Sequence, residues 1–415
     1  MIKEYLAENT PIRKQIFIIA IPVMIQMLSE YILNITDTAF IGHYDVKCLS
    51  AITNALYPFF ILLSLFFATS KGVTILIAQS IGANQKKEAR RYGESAFLFN
   101  QIVSLVYFLF FLFFGKWFLS LIGSNKEILE LSHQYISIIS FQFLFMGFLI
   151  SANSVFEGKG FTLPIMVVSL VKTLLNIFLD WCMIFGNLGF PELGIRGAAY
   201  ATLISQAVGG VILIILVFFS KKDFTLRFNG IVRPNLKIYL KSIILGFPAG
   251  LDFMLWVLGQ NALIFILNKY DPLASGFFGV FSLILSLTVN LYFGISVAAL
   301  NLVGKATGAK DTKTALRAGN LCIFYSLLIC LVIAILFVIF PNQIFGIFTK
   351  EIGLLPNLKF LMVIMAITTF PTAFNVVSGN AIRGTGDTMW MVITQIPGTI
   401  LIALMSFFFI FVFKF

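Results

Sequence analysis

Eleven apolar runs, each long enough to cross a bilayer, dominate this chain. They span roughly 14–41, 52–80, 95–115, 131–155, 162–186, 195–220, 238–268, 274–303, 319–340, 357–380 and 388–413. A membrane-spanning helix needs about 20 apolar residues. Lipid admits only helices or closed barrels, because every backbone polar group must be satisfied within the protein. Runs of this length are too long for strands, so the expected fold class is an all-α polytopic membrane protein. Composition agrees: 59% of the 415 residues are hydrophobic and 11% are charged, whereas a soluble domain is ~25% charged. That balance excludes a soluble enzyme, a disordered chain and a nucleic-acid binder. The partner it implies is the lipid bilayer.

The net charge of +11 is then a topology signal. Basic residues crowd into alternate connections. Lys86, Lys87, Arg90 and Arg91 follow the second run. Lys221, Lys222, Arg227, Arg233 and Lys237 follow the sixth, and Lys305, Lys310, Lys313 and Arg317 the eighth. Cytoplasmic loops carry the excess of Lys and Arg, which places the N-terminus in the cytoplasm. Lys3, Glu4 and Glu8 precede an apolar run broken by Gln26 and Glu30. That is a poor signal-peptide core, and no cleavage is expected. Cys48, Cys182, Cys322 and Cys330 lack metal or disulfide spacing. Lys71, near the inner end of the second run, is expected to snorkel to the interface.

Sliding the chain on itself until Pro22 falls on Pro248 gives a gap-free register. In it Tyr44-Asp45 falls on Tyr270-Asp271, and Ser70 on Ser296. Lys87, Ala89, Arg91 and Gly93 fall on Lys313, Ala315, Arg317 and Gly319, and Gly158-x-Gly160 on Gly384-x-Gly386. Such self-similarity fixes architecture. The first repeat holds six helices, an even number, so the second begins on the same side and the two are parallel. The expected organisation is an N-terminal lobe of six helices (1–220), a cytoplasmic linker (221–237) and a C-terminal lobe of five (238–415). The counterpart of the sixth helix falls outside the chain, so the twelfth helix is expected to be missing. Parallel repeats of this kind recur in transporters that work by alternating access around a central site.

Polar residues form two stripes inside the apolar helices. Residues seven apart on a helix are offset by only about 20°, so Glu30, Asn34 and Asp37 line one face of the first helix. Lys172, Asn176 and Asp180, at i, i+4 and i+8, line one face of the fifth. Both helices run outward, which brings Asp37 and Asp180 to a similar depth. Tyr135 on the fourth helix and Thr202 on the sixth lie at that level. Converging carboxylate, amide, phenol and hydroxyl oxygens suit Na⁺ or a shared proton, with Asp37, Asn176 and Asp180 as the Na⁺ donors. No other cofactor is implied. An ionisable residue at a helix centre costs about 2.5–3.5 kcal/mol on insertion scales. Two readings stay open for Glu30, Asn34 and Lys172: they line a substrate cavity, or Lys172 neutralises Glu30 or Asp37. Asp252, Gln260 and Asn261, with Trp256, are the corresponding cavity candidates on the seventh helix.

Several motifs resemble the multidrug and toxic compound extrusion (MATE) transporters. They are Asn34-Ile-Thr-Asp37-Thr-Ala-Phe-Ile-Gly42, Ala78-Gln79-Ser80-Ile81-Gly82-Ala83 and Asn176-Ile-Phe-Leu-Asp180. Leu193-Gly194-Ile195-Arg196-Gly197-Ala198-Ala199 opens the sixth helix, and Arg383-Gly384-Thr385-Gly386-Asp387-Thr388 follows the tenth. The resemblance covers essentially the whole chain and is nearest to the DinF-like branch. It implies a two-lobe bundle in a bacterial inner membrane, monomeric, exporting small lipophilic or cationic organic substrates against H⁺ or Na⁺. It also implies that Asp37, Tyr135, Asn176 and Asp180 form the family's cation site, with Thr202 beside it. The other branch uses carboxylates on the seventh and tenth helices; here the tenth has none, and the seventh has only Asp252 near its middle.

Three other readings compete. A lipid-linked oligosaccharide flippase of a related branch would carry a cationic central cavity for pyrophosphate, and few basic residues lie within these helices. A chain short of one helix could be an inactive, truncated transporter. Tyr44-Asp45 with Gly384-Thr385-Gly386-Asp387 spells the pair of motifs found in intramembrane aspartyl proteases. The expected topology puts those two aspartates on opposite sides of the membrane, so the chain is not expected to be an enzyme.

Overall fold

The computed structural model describes residues 10–120, 126–270, 272–347 and 357–408. Lys3, Glu4, Glu8, Asp271 and residues 409–413 of the last expected span lie outside them. Among the described residues every regular element is helical, and eleven helices are long and apolar enough to span a membrane. They are α1 (Thr10–Tyr44), α2 (Val46–Gly82), α3 (Lys86–Ser120), α4 (Lys126–Lys159), α5 (Leu163–Phe185) and α6 (Ile195–Phe219). After them come α7 (Leu236–Tyr270), α8 (Pro272–Gly308), α9 (Thr312–Ile339), α10 (Leu358–Thr385) and α11 (Met389–Phe407). This is an integral membrane protein.

The helices outrun their apolar cores. α3 begins at Lys86 rather than near 95 because its first turns are amphipathic. Ala89, Tyr92 and Gly93 are buried while Lys86, Lys87 and Arg91 face outward. Hydropathy marks the part of a helix in lipid, not its ends. The turns that close α4 and α10 are built alike. Gly160 (φ 68°) and Gly386 (φ 97°), counterparts in the repeat register, both cap in the left-handed conformation, which glycine adopts without steric cost. The glycine motif at 384–386 is therefore a helix stop. Asp45, its partner in the protease reading, caps α2 by accepting from Lys47 N–H at 2.8 Å.

The chain divides into two compact units, Ile25–Gly250 and Met1–Met24 with Leu251–Phe415. These differ from the lobes expected from the sequence: the first half of α1 groups with the second repeat, and the linker and first half of α7 with the first. The reason is close packing. A Cβ on Gly246 of α7 would lie 1.8 Å from the Ala68 carbonyl oxygen of α2, and one on Gly72 would lie 1.8 Å from that of Ser242. Across the repeat the contact recurs with its glycine exchanged: a Cβ on Gly294 of α8 would lie 2.4 Å from the Ala20 carbonyl oxygen of α1. Backbones this close exclude any side chain, and they bind the two α7–α2 and α1–α8 pairs tightly.

The linker is not a simple polar loop. Phe224, Leu226 and Ile231 are buried in a core with Ile77, Phe97 and Val155, and 228–232 forms a short helix. Two buried charges hold it. Lys159, fully buried, donates from Nζ to the Phe224 carbonyl oxygen at 2.8 Å, with its ammonium 4.5 Å from that ring's centre. Glu94 accepts from the Arg227 N–H at 2.8 Å. Lys71 does not reach for the interface. It is buried and pairs with Glu157 at 3.5 Å, because a cation in that apolar interior needs a counter-charge.

Candidate cation site

Polar stretches of α1, α4, α5 and α6 meet within the unit Ile25–Gly250. α5 is hooked to α1 by two hydroxyls below the site: Thr173 donates to the Ser29 carbonyl at 3.3 Å and Ser169 to that of Gln26 at 3.5 Å. Above them the two stripes converge. The Asn176 amide orientation follows from its surroundings: its Nδ2 donates to Asp37 Oδ1 at 2.9 Å and Asp180 Oδ2 at 3.1 Å, and its Oδ1 accepts from the Thr202 N–H at 3.2 Å. Asp37 and Asp180 thus share one amide, which brings their carboxyl groups together. Tyr135 lies in the core formed with Ile41 of α1, Ile184 of α5 and Ile195 of α6. Asn176 and Asp180 are fully buried, and Tyr135 nearly so.

One atom there is unsatisfied. Asp180 Oδ1 is buried without a hydrogen-bond donor. Asp37 is half-buried; two carboxylates this close repel each other, and a buried charge without a partner is strongly unfavourable. The donor set is all oxygen apart from the amide nitrogen, and no group of three His, Cys, Asp or Glu occurs among the described residues. Oxygen donors suit a hard cation or a proton, not the soft transition metals that select sulfur and imidazole. The residues present fit a monovalent cation held by Asp37, Asp180 and their neighbours.

The other expected residues separate into distinct groups. Glu30 and Lys172 face each other at 3.8 Å, and Gln26 Nε2 donates to Glu30 at 3.3 Å. Lys172 therefore neutralises Glu30, leaving Asp37 to Asp180. Asn34 is exposed on the α1 face. Gln260 is half-buried, and Asn261 donates to its own helix at the Val257 carbonyl, 2.9 Å away. Neither joins the carboxylate cluster.

Asp252 is paired with Arg383 of α10, whose other terminal nitrogen donates to Asn380 Oδ1 at 2.9 Å. Asn380 in turn donates to Ser296 Oγ at 2.7 Å. Sequence reasoning read Arg383 as a loop cation and missed this pair. One signal was available: in the repeat register Arg383 falls on Glu157, the partner of Lys71, so the same position is charged in both repeats.

Two parallel repeats of spanning helices, with a buried carboxylate pair in one of them, define a polytopic membrane transporter. Comparison with known proteins agrees. The MatE family model matches residues 22–182 and again 248–409. The two copies start at Pro22 and Pro248, the register of the internal repeat, and the chain belongs to that family. A probable multidrug resistance protein NorM of Thermotoga maritima is 32% identical over 396 residues, 94% of this chain and 84% of its own length. A probable multidrug resistance protein YoeA of Bacillus subtilis is 26% identical over 80% of this chain and 72% of its own length. Among solved structures, a MATE transporter in the straight conformation superposes with a TM-score of 0.88 at 21% identity, covering 96% of this chain and 88% of that one. A MOP superfamily transporter from Pyrococcus furiosus, described as having a binding pocket of reversed polarity, gives 0.87 at 21% identity with the same coverage. At that identity the likeness is one of fold.

Proposed function

We propose that the protein is a cation-coupled antiporter that exports small lipophilic or cationic organic compounds. The observation that carries this reading is the Asp37–Asn176–Asp180 cluster, with its unsatisfied carboxylate oxygen. The names of the Thermotoga and Bacillus relatives support the substrate class. A carboxylate pair in the first repeat, with no acid on α10, supports the DinF-like branch. The distribution of Lys and Arg supports a cytoplasmic N-terminus in a bacterial inner membrane.

The chemistry follows from the cluster. Asp37 and Asp180, joined through one amide, disfavour two negative charges with Asp180 fully buried, so H⁺ or Na⁺ entering from outside neutralises one of them. Asn176 spans the pair and transmits the change to the start of α6 through Thr202. Loss of the ion on the inner side restores repulsion and resets the site. A conformational change needs an ion that binds its two states unequally, and the spacing of the carboxylates provides that difference. The test is dye efflux from proteoliposomes under separate Na⁺ and pH gradients, comparing wild type with Asp37→Asn. Gradient-driven efflux should vanish in the variant while equilibrium dye binding persists. Wild-type efflux by Asp37→Asn would sink the assignment.

A further inference from the structure

An apolar groove of about 530 Å³ opens among α8, α9 and α10, where α8 and α10 end and α9 begins. Four of its lining residues, Val303, Gly319, Ile323 and Ala381, fall in the repeat register on Ile77, Gly93, Phe97 and Val155. In the first repeat those positions are covered. Ile77, Phe97 and Val155 pack with Phe224, Leu226 and Ile231 of the linker, and Leu226 reaches within 3.1 Å of where a Cβ on Gly93 would stand. A Cβ on Gly319 would meet only Ala381 and Val303, each at 3.8 Å, and Leu316 in the groove wall is 67% exposed. Among the described residues the same hollow is thus filled in one repeat and open in the other.

Its chemistry differs too. Two side chains of the first repeat hold the linker's backbone: Glu94 accepts from the Arg227 N–H, and Lys159 donates to the Phe224 carbonyl, each at 2.8 Å. Their counterparts are Asn320 and Thr385, and Thr385 donates its hydroxyl to its own helix at the Ile382 carbonyl, 2.7 Å away. The second hollow therefore lacks the charged pair that grips a peptide backbone. It gains a cation instead. Lys310 stands at the rim where the first repeat has Asn84, and Lys313 is exposed beside it. Asp311 between them is engaged by Thr314, accepting from its N–H at 3.0 Å, and no acid lines the groove among the described residues. Polarity is graded along the hollow, from Lys310, Thr307 and Thr312 at the helix ends to Val303 and Ile323 further in. Thr312 to Ile323 covers three turns of α9, ~16 Å at 1.5 Å per residue. In a bilayer, an apolar trench with a cation at its mouth suits an acyl chain beneath an anionic headgroup, and basic pockets between membrane helices bind such headgroups.

We propose that this hollow is a binding site for an anionic phospholipid, with one acyl chain laid along α9 from Leu316 to Ile323 and the phosphate held by Lys310 and Lys313. The lipid fills in the second repeat the place that Phe224 and Leu226 of the linker fill in the first. Recognition is divided between shape and charge. Gly319 and Ala381 leave room for the chain, and the two lysines select the headgroup.

The test exchanges the full chain into micelles holding equal amounts of dioleoyl phosphatidylglycerol and dioleoyl phosphatidylcholine, and reads the lipid that stays bound by native mass spectrometry. Wild type should retain one phosphatidylglycerol several-fold more often than one phosphatidylcholine. Gly319→Leu, which fills the trench from its floor, should lower retention of both lipids several-fold while melting no earlier than wild type. Lys310→Gln with Lys313→Gln, a change at two exposed positions, should bring the two lipids to equal retention. Lys86→Gln with Lys87→Gln, at the matching end of α3, should leave the preference intact. The proposal is overturned if wild type shows no preference, or if a well-folded Gly319→Leu retains both lipids as wild type does. Loss of the preference to the same extent in the two lysine variants also overturns it, because phosphatidylglycerol would then be following surface charge at large.

Discussion

The two repeats share a frame and divide the chemistry between them. At the level of Asp37, Tyr135, Asn176 and Asp180, the second repeat has Leu263, Leu361, Ile402 and Ser406. None of these four is ionisable, where the first repeat holds two acids. At a second level both repeats carry charge, with reversed sign. Glu157 on α4 is neutralised by Lys71 of α2, whereas Arg383 on α10 is neutralised by Asp252 of α7. The hydroxyl beneath is common to both: Ser154 bonds Ser70 at 2.9 Å, and Asn380 bonds Ser296 at 2.7 Å. A duplicated scaffold tolerates either sign at that depth provided each charge has its partner, because the membrane interior penalises the unpaired ion and not its sign. The difference teaches which acids are free to work: Asp252 is committed to an arginine, while among the described residues Asp37 and Asp180 are given no cation and share one amide.

The comparison is broken most severely if removing Asp37 and removing Asp252 have the same consequence. Asp37→Asn is expected to reduce gradient-driven efflux to the level of empty vesicles without lowering thermal stability, since it relieves repulsion. Efflux and melting temperature measured on one preparation decide the point. Asp252→Asn is expected to do the converse. It strands a buried guanidinium, and breaking one side of a buried pair costs about 3–5 kcal/mol. Joint replacement, Asp252→Leu with Arg383→Met, should recover most of that loss. If the double variant is as unstable as the single one, the pair is not what holds α7 to α10.

A smaller effect probes the exchanged glycines. Gly246→Ala and Gly294→Ala each put a methyl against a backbone carbonyl, at 1.8 Å and 2.4 Å. Forcing atoms into a packed contact costs about 1–3 kcal/mol. Both variants should melt earlier, Gly246→Ala the more so. Equal melting with wild type would mean that the helix pairs separate readily at those points.

Much of this frame was legible beforehand. Lipid forces long apolar helices, so eleven spans could be read directly, and period-3.6 stripes placed Asp37 beside Asp180. What was not legible was the destination of charges near helix ends. Lys159 and Arg383 look like ordinary loop cations in a linear reading. Only the folded chain brings the Phe224 carbonyl over one and Asp252 beside the other. Hydropathy was equally silent on α1 and α7 being shared between compact units, because it records that a helix is buried and not which neighbour buries it.

The smallest effect concerns the start of the third helix of each repeat. Asp311 caps α9, accepting from Thr314 N–H at 3.0 Å and from its hydroxyl at 2.6 Å; these bonds hold its carboxyl below the usual range. The matching position before α3 is Gln85, which does not titrate. A carboxyl whose folded pKa is depressed contributes stability above its unfolded value of about 3.9 and loses it as pH falls through the folded value. Asp311→Asn keeps an acceptor at the cap but removes the titration. Its stability relative to wild type should therefore be slightly lower at neutral pH, and the gap should close on acidification. Gln85→Ala should show no such pH dependence. A gap for Asp311→Asn that is constant across that acidic range would mean the cap acts through shape alone, and that the two repeats start their third helices in the same way.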